Sequence, residues 1–452
     1  RWKPLLALML CLVAADKGLS AWGGLYDKVW ITGNLKLFPL YQPLRIRTFA
    51  RKHLGITVEE EVRVSVPKEY SKLDYPKSPL ESVTPEKPLN ILLIVVDSFR
   101  YDVMNRDVTP NLWAFSRKSA VFRRHYSGGN CTRFGIFSIL YGMYGNYWFS
   151  MLGERRGPAL IGELKRRGYD LRLFAAAELS FPEFDKTCFV DVPREGFYDR
   201  PSGRTQVERD REITDEFLKF AGNRKSGRPY FAFIFYDASH GGYEYPPEFG
   251  KFLPADGDVN YISVNKGETL PLFNKYRNSI GFEDSLVGRI LERLERDGGL
   301  KDTAVLVMGD HGEAFFEKGY HGHNRGYGAE EIRVPLVFYA PGRPAEEVDT
   351  PTSHMDIVPS LMRLIGVKNP PSDYSSGMDL FERKERPFVP VFSWDTSAII
   401  KDDHALVIPL ESYGGGLALY DPDYRQVRGR SALAPFLPYL PEFQLEAKKF
   451  YK

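Results

Sequence analysis

Residues 91–96, Ile-Leu-Leu-Ile-Val-Val, form an unbroken β-rich apolar run that begins after Asn90 and stops at Asp97. A run this short, without polar alternation and bordered by turn residues, predicts a strand buried on both faces. Similar runs recur at 230–236, 304–308 and 335–339. Between them, apolar positions fall at helical spacing over 110–118, 132–140, 158–167, 207–220, 276–296 and 357–365. Strands alternating with helices predict an α/β domain around a mostly parallel central sheet flanked by helices. After about Pro370 the pattern changes to short β-like pieces at 388–392, 405–408 and 417–420, expected to form a small C-terminal β-containing subdomain.

The N-terminal part follows different rules. Residues 5–15 are an apolar run behind Arg1 and Lys3, short of the ~20 residues that span a bilayer. It fits the core of a signal peptide, or the end of a transmembrane helix that began earlier, since the chain opens on Arg1 rather than Met. Trp22, Tyr26, Trp30, Phe38 and Tyr41 then alternate with Lys28, Lys36, Arg45, Arg47, Arg51 and Lys52. Aromatic and basic residues together suit a lipid headgroup region, which favours the membrane reading over an ordinary amphipathic surface segment. Arg45, Arg47 and Arg51 are the candidate lipid-headgroup contacts. From Glu59 the composition turns charged and proline-rich, with Pro67, Pro76, Pro79, Pro85 and Pro88, as in an extended linker. The expected organisation is a membrane-proximal region at 1–58, a linker at 59–89, a core at 90–370 and the C-terminal subdomain at 371–452.

Composition narrows the possibilities. The 452 residues allow two or three domains or one large α/β domain, and 43% hydrophobic with 14% aromatic content excludes wholesale disorder. Lys and Arg total 61 against 59 Asp and Glu, a formal charge of +2 that argues against a nucleic-acid partner. Cys11, Cys131 and Cys188 are too few for a disulfide scaffold, and their number does not support pairing Cys131 with Cys188.

In open α/β sheets, ligands sit beyond the carboxyl ends of strands. The first predicted strand runs into Asp97, a residue that in isolation often just caps the next helix. The strand near 304–308 runs through Gly309 into Asp310-His311-Gly312-Glu313, which places an oxygen and a nitrogen ligand on one tight turn. A glycine-rich stretch, Ser127-Gly128-Gly129-Asn130-Cys131, enters an apolar helix at Thr132. There a hydroxyl can serve as a plain cap or as a metal-activated nucleophile at an anion-binding helix end. Arg133 beside it is placed to hold oxygens of a transferring group.

Taken in order along the chain, these pieces resemble the alkaline phosphatase superfamily in its sulfatase-like branch, over roughly residues 89–381. Tyr276-Arg277-Asn278-Ser279-Ile280 leading to Asp284, Arg333-Val334-Pro335-Leu336 and His354-Met355-Asp356-Ile357-Val358-Pro359 extend the match. The resemblance implies metal-dependent phosphoryl or sulfuryl transfer through a covalent intermediate. Sulfatases with a formylglycine carry Cys-x-Pro-Ser-Arg, whereas Cys131 here precedes Thr132-Arg133-Phe134-Gly135. The family's glycine ten positions beyond the nucleophile is matched by Thr132 with Gly142. Thr132 therefore takes the nucleophile position, as in lipoteichoic acid synthases and lipid A phosphoethanolamine transferases, and sulfatase activity is not expected.

Carried over on these matches, Asp97, Thr132, Asp310 and His311 bind one divalent cation (Mg, Mn, Zn or Ca). Arg133 and His240 contact substrate, and His323 lies where relatives place another substrate or second-metal histidine, with His321 a competitor for that place. A second full metal site is not evident from the sequence. Phe38-Pro39-Leu40-Tyr41-Gln42-Pro43-Leu44 and the Gly128-Gly129-Asn130 loop resemble the YejM type of Gram-negative inner-membrane protein, with a transmembrane bundle, a basic linker and a periplasmic sulfatase-like domain. That type implies a bacterial inner-membrane location and membrane-lipid partners, either anionic phospholipid such as cardiolipin or lipopolysaccharide, with a regulatory membrane protein as a further partner. Two functions remain open: a metal-dependent phosphatase or phosphotransferase on lipid headgroups or phosphorylated glycans, and a non-catalytic lipid-binding regulator of envelope homeostasis.

Overall fold

A computed structural model describes residues 2–25, 72–224, 227–255, 267, 269–410 and 416–452. Arg45, Arg47 and Arg51 lie outside the described residues. The chain divides into two units, residues 1–70 with 149–155, and 71–148 with 156–452.

In the first unit, helix α1 (Lys3–Leu25) continues through the polar pair Asp16-Lys17. Its 20 residues from Lys3 to Trp22 are long and apolar enough to cross a membrane.

The second unit is built on a sheet of eight strands. In chain order they are β1 (Asn90–Val96), β2 (Ala120–Phe122), β3 (Asp170–Ala175), β4 (Phe197–Tyr198), β5 (Tyr230–Tyr236), β6 (Thr303–Gly309), β7 (Leu336–Tyr339) and β8 (Glu346–Val348). Their spatial order is β8-β2-β7-β6-β1-β5-β3-β4. All neighbours run parallel except β7, which is antiparallel to both β2 and β6. Strand β1 is central and every one of its residues is buried, which is why its sequence shows no polar alternation.

Side chains alternate between the two faces of a strand. Leu92, Ile94 and Val96 join a core with Ile280, Val287 and Leu291 of the long helix Thr269–Arg296, and with Phe217 of Gln206–Gly222. Burying each such aliphatic side chain stabilises the fold by about 1.5–3 kcal/mol. A second helical pair, Thr132–Tyr141 and Ile357–Leu364, is buried along most of its length. The C-terminal residues form a five-stranded antiparallel sheet from Val389 to Val427 within the same unit. Phe392 of its first strand exchanges backbone hydrogen bonds with Gly128 and Asn130, so this sheet braces the glycine-rich loop.

Residues 72–89, at the end of the expected linker, lie against this body. Leu73 bridges to Tyr451, and the Asp74 N–H donates to the Phe450 carbonyl. The Tyr75 ring meets Phe450 edge-on at 5.4 Å, and its hydroxyl accepts from the Ala159 N–H. The chain is expected to tolerate removal of residues before Ser71 but not before Pro85. Tyr75→Ala should cost about 3–5 kcal/mol, the range for emptying a buried aromatic site, which urea denaturation of the two variants would check.

Candidate active site

Three parallel neighbours, β6, β1 and β5, end at the same edge of the sheet, and their register aligns the residues just beyond them. Val96 is level with both Tyr236 and Gly309, so Asp97, Asp237 and Asp310 emerge side by side. Two close approaches hold the surrounding elements here. Ser98 adopts φ 57°, and its N–H donates to Asp310 Oδ1 at 3.0 Å. Such left-handed backbone is uncommon outside glycine and concentrates at functional sites. Gly135, in the first turn of Thr132–Tyr141, lies so near β6 that an added Cβ would sit 2.3 Å from the Asp310 carbonyl oxygen. Gly135→Ala should therefore push the helix away from Asp310. A loss of about 1–3 kcal/mol, typical of overpacking, should accompany weaker Mn²⁺ binding in calorimetry.

Thr132 is the first residue of that helix, and Cys131 occupies the cap position without a capping side-chain bond. The Thr132 hydroxyl turns instead to His311, with Oγ1 3.1 Å from Nε2. That contact favours a chemical role over a plain cap. Burial pushes the Cys131 thiol up to about 12, so it is not a thiolate nucleophile at neutral pH.

The acceptor atoms around Thr132 are short of positive charge. His311 Nδ1 lies 2.8 Å from the Gly312 carbonyl, which assigns its proton to Nδ1 and leaves Nε2 a lone pair. Burial holds the His311 ring down at about 4, so it is neutral. Its Nε2 nevertheless lies 3.5 Å from Asp97 Oδ1 and 3.5 Å from Asp310 Oδ2. Asp310 Oδ2 is fully buried and has no hydrogen-bond partner among the described residues. Burial raises both carboxyls, Asp310 to about 6, and Asp310 adds to the rise at Asp97. Ligand atoms of Asp97, Asp310 and His311 all fall within 4.8 Å of one another. Two oxygens and an imidazole nitrogen in this arrangement fit a divalent cation. Asp97, Asp237 and His240 form a second such group that shares Asp97, a grouping the sequence reading did not expect.

His323 and His240, the expected substrate contacts, lie beside this centre. The His323 ring lies 4.4 Å from that of His311 and 5.6 Å from that of His240. His323 Nδ1 is 2.6 Å from Glu313 Oε2, and Glu313 Oε1 accepts from the Tyr243 hydroxyl at 2.7 Å. Burial alone works against charge on His323, but Glu313 lifts it to about 9. Burial likewise opposes the Glu313 carboxylate, and His323 outweighs it, holding Glu313 at about 2. His321 stands behind this pair, its Nε2 3.0 Å from the Tyr243 hydroxyl.

Arg133 points elsewhere. Its guanidinium lies between the rings of Trp148 and Trp394, at 4.7 and 4.5 Å, and pairs with Glu183 at 2.9 Å. Successive helical residues are rotated by about 100°, so adjacency to Thr132 in sequence does not make the two side chains neighbours. Among the described residues, all three cysteines are unpaired. Sequence reasoning gave no role to Asp237, Glu313 and Tyr243. Asp237 carries the same signal as Asp97, an acid directly after a fully buried strand.

Residues 89–367 match the sulfatase family model. The chain belongs to the sulfatase family. It is 25% identical over 455 aligned residues to the inner membrane protein YejM of Salmonella typhimurium, covering 99% of this chain and 70% of that protein. Among solved structures, the phosphonate monoester hydrolase of Silicibacter pomeroyi superposes with a TM-score of 0.62 at 19% identity, covering 80% of this chain and 95% of that one. The lipoteichoic acid synthase LtaP of Listeria monocytogenes superposes with a TM-score of 0.57 at 14% identity, covering 81% and 95%. These likenesses establish an alkaline phosphatase/sulfatase fold: a mostly parallel sheet flanked by helices, with a C-terminal antiparallel sheet. In this sulfatase-family chain the acid–histidine groups could hold a metal ion, and helix α1 is long and apolar enough to cross a membrane.

Proposed function

We propose that this chain is a metal-dependent phosphoester hydrolase or phosphotransferase with Thr132 as nucleophile, anchored in the bacterial inner membrane with its α/β domain in the periplasm. The observation that carries the reading is the Thr132 hydroxyl beside His311 Nε2, at an uncapped helix N-terminus, next to the buried carboxylates Asp97 and Asp310. Asp97, Asp310, His311 and Thr132 would hold a divalent cation, which would supply the positive charge to acidify a neighbouring hydroxyl and polarise a phosphoryl oxygen. Thr132 Oγ1, whose proton would be released to water as the cation binds, forms the new bond to phosphorus. As the bond from phosphorus to the leaving oxygen breaks, His323 gives that oxygen a proton from Nε2, its Nδ1 proton being retained by Glu313. Water, or an acceptor hydroxyl, then releases the phosphoryl group from Thr132. His240 is placed to contact the leaving group or an anionic part of the substrate.

The substrates we propose are lipid headgroups or phosphorylated glycans, reached through a membrane-proximal region that holds anionic phospholipid or lipopolysaccharide. Replacing Arg45, Arg47 and Arg51 with Ala should weaken binding to anionic vesicles by about 1 kcal/mol per charge, with a smaller effect in high salt. Co-sedimentation at two ionic strengths measures this.

A second reading has its own support. Arg133 is committed to Trp148, Trp394 and Glu183 and so does not offer its guanidinium to phosphoryl oxygens, as suits a lipid-binding regulator that keeps the fold without turnover. The purified full chain, stripped of metal and reloaded with Mg²⁺, Mn²⁺, Zn²⁺ or Ca²⁺, separates the two. Hydrolysis of p-nitrophenyl phosphate monoesters or diesters, with mass spectrometry finding phosphate on Thr132, supports the enzyme. Inactivity with every metal, together with retained binding to anionic vesicles, would favour the regulator.

A further inference from the structure

Two fully buried carboxyls behind the site take no part in the chemistry above. Asp210 sits on the helix Gln206–Gly222 and Glu283 on Thr269–Arg296, and neither is exposed to solvent. Both reach the loop after β5. Asp210 Oδ1 accepts from the Asp237 N–H at 3.0 Å and Oδ2 from the Ala238 N–H at 2.9 Å. Glu283 Oε1 accepts from the Ser239 N–H at 3.0 Å. The Ser239 hydroxyl lies 2.5 Å from the Asp97 carbonyl and 3.1 Å from Glu283 Oε1. Its single hydrogen serves Asp97, the shorter contact. Gln206 closes the loop from the other side, its Nε2 within 2.9 Å of the carbonyls of Asp237 and His240.

Sequestering two carboxyl groups is costly unless they are hydrogen-bonded, and burial raises both well above the usual carboxyl range. A loop that only connected two elements would be served as well by water. These contacts instead fix the backbone at three consecutive residues, 237–239, and reach the strand end that carries Asp97. The loop delivers Asp237 and His240, and its serine grips the carbonyl of Asp97 itself.

We infer that Asp210 and Glu283 are positioning residues, a buried two-carboxyl clamp that holds Asp237, His240 and Asp97 in their mutual geometry. The inference deepens the proposed phosphoryl-transfer reading and rests on it for its effect on rate. Its structural content can be tested without turnover.

Glu283→Gln keeps an oxygen at the acceptor position, whereas Glu283→Ala removes it. With histidine-labelled full chain, the His240 ring resonance, assigned by its loss in His240→Gln, reports the loop directly. The Ala variant is expected to shift or broaden that resonance and leave half-buried His404, in the C-terminal sheet, unmoved, and the Gln variant to restore it. In the metal-loaded chain, kcat for p-nitrophenyl phosphate should fall roughly tenfold to a hundredfold in Glu283→Ala, the scale of sub-ångström to ångström misplacement. KM should change less than kcat, because the His240 contact to substrate is displaced rather than removed, and Glu283→Gln should recover most of kcat. Should Glu283→Ala fail to fold, Ser239→Ala cuts only the hydroxyl link to Asp97 and is expected to move the same resonance. An unmoved His240 signal in either folded variant, or a Gln variant as defective as Ala, overturns the clamp. A chain with no turnover whose His240 signal still responds would instead sink the enzymatic reading and keep the clamp.

Discussion

Thr132→Ala is expected to abolish phosphoester turnover, by at least about a thousandfold, while the chain keeps its fold. Both halves of that result come from where the hydroxyl points. Thr132 opens its helix without capping it, and its side-chain oxygen meets His311 Nε2 rather than a backbone N–H. Removing that oxygen therefore costs the helix no capping bond, and the stability change should stay within about 1 kcal/mol, no more than a lost cap. For the chemistry the variant loses the hydroxyl that meets His311 Nε2. Cys131 is buried with its thiol pushed up to about 12, so Cys131→Ser should leave turnover in place. Thr132→Ser keeps the oxygen and loses one methyl, and should retain measurable activity. Steady-state assays with thermal melts decide the matter. Turnover in Thr132→Ala together with a dead Cys131→Ser would mean the nucleophile is the neighbouring residue.

Much of this site was legible because buried strands announce themselves. The apolar run at 91–96 emerges as β1 (Asn90–Val96), and 230–236 and 304–308 emerge as β5 and β6. The residues directly after them are the site's acids. The pairing of strands is not written locally. Only the register of β1 against both β5 and β6 makes Asp237 equivalent to Asp97 and Asp310, so the sequence singled out His240 and passed over Asp237. Arg133 shows the opposite failure. Its place beside Thr132 suggested a shared target, but helical geometry turns it toward Trp148 and Trp394. Glu313 was visible in Asp310-His311-Gly312-Glu313, yet its partner His323 lies beyond a turn that residue spacing does not define. In the C-terminal sheet, Thr396–Lys401 escaped notice because its Thr, Ser and Lys dilute the apolar pattern, although Ala398, Ile399 and Ile400 are buried.

Asp310→Asn is expected to separate metal binding from fold stability, with effects of opposite sign. In the metal-free chain Asp310 is a fully buried carboxyl whose Oδ2 has no hydrogen-bond partner among the described residues, and burial raises it from 3.8 to about 6. A raised carboxyl favours the folded state when protonated, so its stabilising contribution is complete below pH 3.8 and is lost as pH climbs through 6. Near pH 8 the ionised group then costs the fold about 3 kcal/mol, at 1.36 kcal/mol per pKa unit. Asparagine never ionises. Its amide oxygen can still accept from Ser98 and His311, as Oδ1 does, and its NH₂ replaces the orphaned oxygen 3.5 Å from His311 Nε2. After treatment with chelator, Asp310→Asn should therefore melt above the wild type at pH 8, and the gap should close as pH falls toward 4. Adding Mn²⁺ should reverse the order, because a ligand that binds only the folded wild type stabilises it by mass action, while the variant has lost one of two carboxylates from the site. Turnover should vanish with metal binding. Scanning calorimetry at pH 4 and pH 8, with and without Mn²⁺, gives four comparisons. A wild type indifferent to Mn²⁺, or a variant that melts lower than the chelated wild type at pH 8, would show that Asp97, Asp310 and His311 are held together by something other than the demand for a cation.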